Sequence, residues 1–320
     1  MTINPKGTNA RVSRLSRRDF LKILSAVGVT AVVAGWGISR TKLIWQIGEL
    51  QALAALGGSA QKADDAAYAG SEVKITFGDD PQQYALVYPP LGTVARRNST
   101  VFFEYGGGWN MGNPAQYRFM GRFFASLGFP TILGGYRLVP GDHFPAQVED
   151  AALGLQVGIE YLTKNDAPVT KIILAGHSAG AQLVSLLAYD PKYLAAERPL
   201  ISGLVSISGP LDFSLCRSGQ IRSLLDAYLA GLSDWEVADP IAFANPEVPI
   251  SVLCLHGAKD PVVDPGNSRS FVDKLNQGSI HRAELQIFPG RFHSDMLNMF
   301  LEQSAETKVL TGWLENVDQA

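Results

Sequence analysis

Ile172-Ile173-Leu174-Ala175-Gly176-His177-Ser178-Ala179-Gly180 is the stretch on which the fold turns. Its first half is a short apolar run of the kind a buried strand shows, and Ala179–Tyr189 continues with the pattern of a helix. Between the two lies G-x-S-x-G, and a strand-to-helix turn this tight forces the central serine into a strained backbone conformation. The glycines on either side leave room for neighbouring chain, so the Ser178 hydroxyl stands clear at a helix N-terminus. Without its context the motif means little, because glycine and serine are common; between a strand and a helix it marks Ser178 as a nucleophile.

Outward from this turn the chain alternates. Strands are expected at Glu72–Phe77, Tyr84–Tyr88, Val101–Glu104, Thr131–Gly134, Lys171–Ala175, Leu204–Ile207, Val248–His256 and Glu284–Phe288. Helices are expected at Tyr117–Leu127, Ala146–Leu162, Ala179–Tyr189 and Ser268–Asn276, with a last one over much of Asp295–Leu314. Such alternation argues for an α/β architecture with a mostly parallel sheet and helices on both faces. The first two strands, joined by Gly78-Asp79-Asp80-Pro81, should pair antiparallel. Residues 213–245 are helical in pattern but interrupt the alternation, which makes them a candidate cap over the site.

A serine hydroxyl needs a base within hydrogen-bond reach, and the base needs an orienting carboxylate. In a strand-turn-helix serine enzyme of this type the chain order is serine, acid, histidine. Of five histidines, His143 and His177 precede the serine, and His177 is expected to point away from the site. His256 ends a strand and His281 lies in a polar connection. His293 follows the last strand, where a loop can bring its imidazole over the sheet edge that carries Ser178. The acid should follow the preceding strand, which selects Asp260 in Gly257-Ala258-Lys259-Asp260-Pro261; Asp264, four residues on, is the competitor. Tyr105-Gly106-Gly107-Gly108-Trp109 follows the strand ending at Glu104. Its glycines can turn backbone N–H groups inward, so Gly107 and Gly108, with the amide of Ala179, are the expected oxyanion donors.

Composition bounds the rest. The chain has 320 residues, 46% hydrophobic and 18% charged, with a formal net charge of −3. This suits one large globular domain and shows no electrostatic footprint for nucleic acid. Cys216 and Cys254 form no metal or redox motif; two free thiols and one disulfide both fit the sequence. No zinc-binding spacing occurs, and no metal is expected.

The N-terminus has a different character. Ser16-Arg17-Arg18-Asp19-Phe20-Leu21-Lys22 precedes an apolar stretch from Ile23 to Ile38. It resembles a twin-arginine export signal, which implies the twin-arginine machinery as a partner, export of the folded protein and a periplasmic or exported location. About sixteen apolar residues fall short of the roughly twenty that span a bilayer. Cleavage would release the protein, whereas an uncleaved signal would leave it anchored to the membrane. Residues 1–40 are assigned to this signal or anchor, 41–70 to a linker or helix, and 71–320 to the catalytic domain.

Several further motifs complete the pattern: Gly106-Gly107-Gly108-Trp109, Tyr136-Arg137-Leu138-Val139-Pro140, Phe144-Pro145-Ala146 and Gly176-His177-Ser178-Ala179-Gly180. These resemble the hormone-sensitive-lipase-like bacterial esterases. Ser208-Gly209-Pro210-Leu211-Asp212, Asp239-Pro240-Ile241, the run from His256 to Val263, and His293-Ser294-Asp295 are similar to the branch holding feruloyl-esterase-like (BD-FAE) hydrolases and kynurenine formamidases. The resemblance implies an eight-stranded α/β-hydrolase sheet, a short cap, no cofactor, and hydrolysis of a small carboxylic ester or simple amide. It supports Ser178, Asp260 and His293 as the triad. The family usually has histidine before the glycines; here Tyr105 stands in its place. Trp109, Tyr228 and Trp235, with Leu224 and Leu229, either line a substrate pocket or simply pack the cap. The rival readings are a formamidase-like amide hydrolase using the same residues and a hydrolase-fold protein that only binds.

Overall fold

A computed structural model describes residues 72–90, 94–216, 219–278, 282–301 and 303–320. The signal, anchor and linker readings of residues 1–70, and His281, lie outside them. The strands are β1 Val73–Thr76, β2 Tyr84–Tyr88, β3 Ser99–Glu104, β4 Thr131–Leu133, β5 Lys171–His177, β6 Ile201–Ile207, β7 Ser251–Gly257 and β8 Ala283–Phe288. They form one eight-stranded sheet in the order β1-β2-β4-β3-β5-β6-β7-β8. β1 pairs antiparallel with β2, and β2 with β4; every other pairing is parallel.

The helices are α1 Arg118–Ser126, α2 Ala146–Lys164, α3 Ala179–Tyr189, α4 Gly219–Tyr228, α5 Pro240–Phe243, α6 Gly266–Leu275 and α7 Ala305–Gln319. β3 and the six residues after Lys171 in β5 are buried throughout, as strands covered on both faces must be. Every residue of α3 is buried as well, which explains why it reads as apolar all round and not as an amphipathic surface helix. Cys216 and Cys254 are both free and buried.

The structure departs from the expected elements at the C-terminus. In place of one helix over Asp295–Leu314 there is a 3-10 turn at Ser294–Phe300 and then α7. Ser304 breaks the run: its hydroxyl accepts the Thr307 N–H, and the Thr307 hydroxyl receives the Ser304 N–H, a reciprocal cap that starts a new helix. Residues 213–245 do lie between β6 and β7 as short helical pieces, a 3-10 turn at Phe213–Leu215, α4, a 3-10 turn at Glu236–Ala238 and α5. β3, β5, β7 and β8 run parallel in this sheet, so the segments that follow them emerge at one edge, the C-terminal edge of the strands.

Candidate active site

Ser178 sits between β5 and α3 with φ 53° and ψ −120°, a left-handed backbone that a non-glycine residue adopts only where its surroundings impose it. The glycines of the motif are needed for space. A Cβ on Gly176 would stand 2.5 Å from the carbonyl carbon of Gly180, and one on Gly180 would stand 2.2 Å from the Glu104 carbonyl oxygen. Both distances are impossible, so the turn closes only with glycine at each place.

The loop after β8 brings His293 to this turn. The Ser178 hydroxyl lies 2.9 Å from His293 Nε2, and His293 Nδ1 lies 2.6 Å from Asp260 Oδ2. Since Nδ1 faces a carboxylate it carries the proton, which leaves Nε2 as the acceptor facing Ser178. Asp260 is fixed from its other side as well, for its Oδ1 accepts the N–H groups of Val262 and Val263 at 2.8 and 2.9 Å. Asp264 does not compete: its Oδ1 accepts the Gly266 N–H at the start of α6. Burial alone would raise the Asp260 carboxyl. The nearby His293 and His256 outweigh that through charge and hydrogen bonds, and hold it well below the usual carboxylate range.

Two histidines take parts that the sequence did not assign. His256, at the end of β7, places Nε2 3.0 Å from the Val263 carbonyl and 3.2 Å from Asp260 Oδ2. Both neighbours are acceptors, so Nε2 carries the proton, and Nδ1 accepts the Ser268 hydroxyl at 2.7 Å. A second imidazole thus steadies the same carboxylate oxygen that meets His293. The only sequence signal for it was its position four residues before Asp260. His177 does not point away from the site. Its ring centre lies 4.9 Å from that of His293, and its Nε2 is 3.4 Å from the His293 carbonyl oxygen. Burial, with His293 beside it, pushes the His177 imidazole down to about 3, so it stays neutral beside the His293 ring.

The glycine loop after β3 is held by aromatic rings. Tyr105 stacks on Tyr136 with ring centres 4.4 Å apart, and the Tyr136 hydroxyl donates to the Tyr105 carbonyl at 3.1 Å. The Tyr117 hydroxyl donates to the Gly106 carbonyl at 3.2 Å. Tyr105 therefore occupies the histidine position of the resembled families as one plate of a tyrosine stack. Gly107 has φ 135° and Gly108 φ 57°. Gly107 and Gly108 lie in this loop, and Ala179, the third expected oxyanion donor, is the first residue of α3. Glu104, the last residue of β3, is fully buried, and among the described residues neither of its carboxyl oxygens has a hydrogen-bond partner. Burial, with Asp150 nearby, pushes its carboxyl well above the ordinary carboxylate range.

The residues expected to line a pocket are placed differently. Trp109 and Tyr228 are both wholly buried and stack face to face, ring centres 4.3 Å apart at 4°. The Trp109 indole donates to Gln182 Oε1 at 3.1 Å, and the Tyr228 hydroxyl donates to the same oxygen at 3.4 Å. Gln182 Nε2 in turn donates to the Ala238 carbonyl at 2.8 Å. With no exposed face left, these two rings serve as a clamp between glycine loop, α3 and cap, and not as a binding surface. Trp235 is partly buried and carries the Arg222 guanidinium 4.2 Å above its ring. The sequence could have pointed to Gln182 as the one amide in an otherwise apolar helix, a single turn beyond Ser178. Arg137 ties its loop to α2 with two hydrogen bonds to Asp150 at 2.8 and 3.0 Å and makes one more to Asp142 at 3.0 Å.

Comparison with known proteins agrees with this architecture. The chain is 24% identical over 243 residues to the probable isoprenylcysteine alpha-carbonyl methylesterase ICMEL2 of Arabidopsis thaliana, covering 69% of this chain and 57% of that protein. It is 26% identical to esterase LipC of Mycobacterium tuberculosis, over 70% of this chain and 60% of the relative. With an ethyl acetate hydrolase of Pseudomonas putida the identity is 24%, over 75% and 80% of the two chains. The chain thus spans less than two thirds of the length of the first two relatives. Among solved structures, a truncated carbohydrate esterase from gut microbiota superposes with a TM-score of 0.66 at 19% identity, covering 78% of this chain and 96% of that one. This likeness shows the α/β-hydrolase fold. The family model BD-FAE matches residues 87–275, more than half of the chain, from β2 through the serine turn and cap to the end of α6, and on that match the protein belongs to the BD-FAE family.

Proposed function

We propose that this protein hydrolyses carboxylic esters through a Ser178–His293–Asp260 acyl-enzyme mechanism. The observation that carries the reading is the unbroken line from the Ser178 hydroxyl through His293 to the Asp260 carboxylate, at 2.9 and 2.6 Å. His293 Nε2 accepts the Ser178 proton as the oxygen attacks the ester carbonyl. The resulting oxyanion is received by the amides of Gly107, Gly108 and Ala179. His293 then protonates the leaving alcohol, and water repeats the sequence on the acyl-enzyme. The relatives, a methylesterase, an esterase and an ethyl acetate hydrolase, favour an ester over the N-formyl amide that the same residues could also attack.

Export by the twin-arginine route into the periplasm belongs to the same proposal. It is supported by the residues Ser16–Lys22 and the apolar stretch behind them.

The test is a panel of p-nitrophenyl esters with the wild type and Ser178→Ala. The wild type should turn over at least the short esters. The variant should melt at an unchanged temperature and lose about 10⁴-fold or more in kcat, since the other groups alone give only residual catalysis. A folded Ser178→Ala protein with wild-type turnover rules the mechanism out. Faster turnover of a matched N-formyl amide than of the ester would move the reading to the formamidase kind.

A further inference from the structure

The three amides expected to receive the oxyanion are aimed by the carbonyls of their own peptide units, because a trans peptide points its C=O and its N–H to opposite sides. For Ala179 that carbonyl belongs to Ser178, and it accepts the Ala181 and Gln182 N–H groups at 3.0 and 3.3 Å in the first turn of α3. For Gly108 it belongs to Gly107, and it accepts the Asn110 and Met111 N–H groups at 3.2 Å each. The cap adds packing at this end of the loop, since a Cβ on Gly108 would stand 2.8 Å from Leu224 Cδ1. For Gly107 the carbonyl is that of Gly106, and here the donor is a side chain, the Tyr117 hydroxyl at 3.2 Å.

That peptide needs an anchor. It joins two glycines, so ψ of the first and φ of the second can turn together at little steric cost, and the plane can flip with small displacement of its neighbours. A flip would bring the Gly106 carbonyl oxygen to the place of the Gly107 N–H and set a partial negative charge beside the developing oxyanion. The segment lies against the reacting groups: a Cβ on Gly106 would stand 3.0 Å from Ser178 Cβ and 2.6 Å from His177 Nδ1. Tyr117 is built to resist the flip. It is 1% exposed, it closes the 3-10 turn Pro114–Tyr117, and its ring packs on that of Tyr105 with centres 5.4 Å apart. Resting on the ester-hydrolase reading above, we infer that Tyr117 is a positioning residue for the reaction, whose hydroxyl holds the Gly106–Gly107 peptide with the Gly107 N–H turned to the oxyanion.

The full chain and its Tyr117→Phe variant test this, with p-nitrophenyl acetate as substrate and phenyl trifluoromethyl ketone as a probe of the oxyanion position. Ser178 adds to the ketone carbon while its proton passes to His293, and the ketone oxygen becomes the anion that the amides must hold. In the variant kcat should fall about tenfold or more, towards the roughly 10²–10³ that outright loss of an oxyanion donor costs. KM should stay within about twofold, since the amide is engaged only as charge develops. The ketone should bind more weakly by the same factor as kcat falls. A tyrosine that only supports the loop would lower the melting temperature and leave kcat and ketone affinity unmoved. Tyr117→Met also lacks the hydroxyl, and it keeps the test open if the phenylalanine variant does not fold. A folded variant with kcat and ketone affinity within about twofold of wild type overturns the inference. So does a loss carried by KM alone, or a fall in kcat that the ketone does not share. Absence of turnover on every p-nitrophenyl ester by the folded wild type would overturn the esterase reading and this inference with it, whereas wild-type turnover with an unmoved variant overturns this inference alone.

Discussion

Gln182 shows how much one side chain can govern in a buried site. Its carbonyl oxygen takes two donors, the Trp109 indole and the Tyr228 hydroxyl, and its amide donates to Ala238. In Gln182→Met the volume is nearly kept but three polar groups lose their partner, each at a cost of about 1–3 kcal/mol when buried. The variant should melt about 6 °C lower or more, since each kcal/mol moves the midpoint by about 2–4 °C in a domain of this size. Because Trp109 directly follows Gly108, kcat for short esters should also fall by about tenfold, less than the roughly 10²–10³ that outright loss of an oxyanion donor costs. If both effects pass through the indole, Trp109→Phe and Gln182→Met will be strongly non-additive in a double-mutant cycle read in kcat. Strict additivity would show that Gln182 acts elsewhere. At this scale the sequence was legible where a role is tied to a fixed place in the chain order. Ser178, Asp260 and His293 were found by that rule, and the structure brings all three together. Gln182 and His177 were not assigned their contacts because the partners lie 73 and 116 residues away, and His256 was missed although Asp260, which it steadies, is only four residues on.

The cap is the element in which local pattern and tertiary packing pull furthest apart. Its helical pieces were readable from residues 213–245, yet the face that α4 would bury was not, since that depends on Trp109 and Gly108, from a loop more than a hundred residues earlier. The split of the expected last helix has a similar cause. Met296, Leu297, Met299 and Phe300 continue the apolar spacing of Leu310, Trp313 and Leu314, but the reciprocal Ser304–Thr307 cap interrupts the backbone between them. The base of the cap also holds a titrating group. Asp239, just before α5, accepts the Phe213 N–H at 3.0 Å. Burial first, with Asp212 nearby, pushes its carboxyl up to about 7 from an ordinary 3.8. A carboxyl raised in the folded state keeps its proton there while the unfolded chain has lost it. Stability therefore falls as pH rises from about 4 to about 7 and levels off above, with a slope of at most about 1.4 kcal/mol per pH unit. Asp239→Asn keeps an acceptor for Phe213 and cannot ionise. It should flatten this part of the curve and melt above the wild type at pH 8 but not at pH 4. Parallel curves for the two proteins between pH 4 and pH 8 would exclude Asp239 as their source.

The whole molecule places its reacting groups by non-local contacts. Ser178 meets His293 across 115 residues of chain, and the sheet that aligns them runs from Val73 to Phe288. The alternation of strands and helices disclosed this architecture readily, since a parallel sheet buried on both faces writes its strands as apolar runs. A sheet whose central pairings join distant segments is complete only when nearly the whole chain is available. Such a domain suits a route that carries folded protein, which is what the resemblance of Ser16–Lys22 to a twin-arginine signal implies. The proposal can be separated from simple anchoring by the arginine pair alone. Replacing Arg17 and Arg18 together by lysine preserves the positive charge and the apolar stretch that follows, and so preserves everything a plain membrane anchor requires. If recognition depends on the two guanidinium groups, whose planar, forked donors an ammonium cannot copy, the double variant should stay in the cytoplasmic fraction with its ester turnover intact, while the wild type is recovered in the periplasm. Equal recovery of both proteins from the periplasm would show that the pair is not the address, and recovery of both from the membrane would favour an anchor instead.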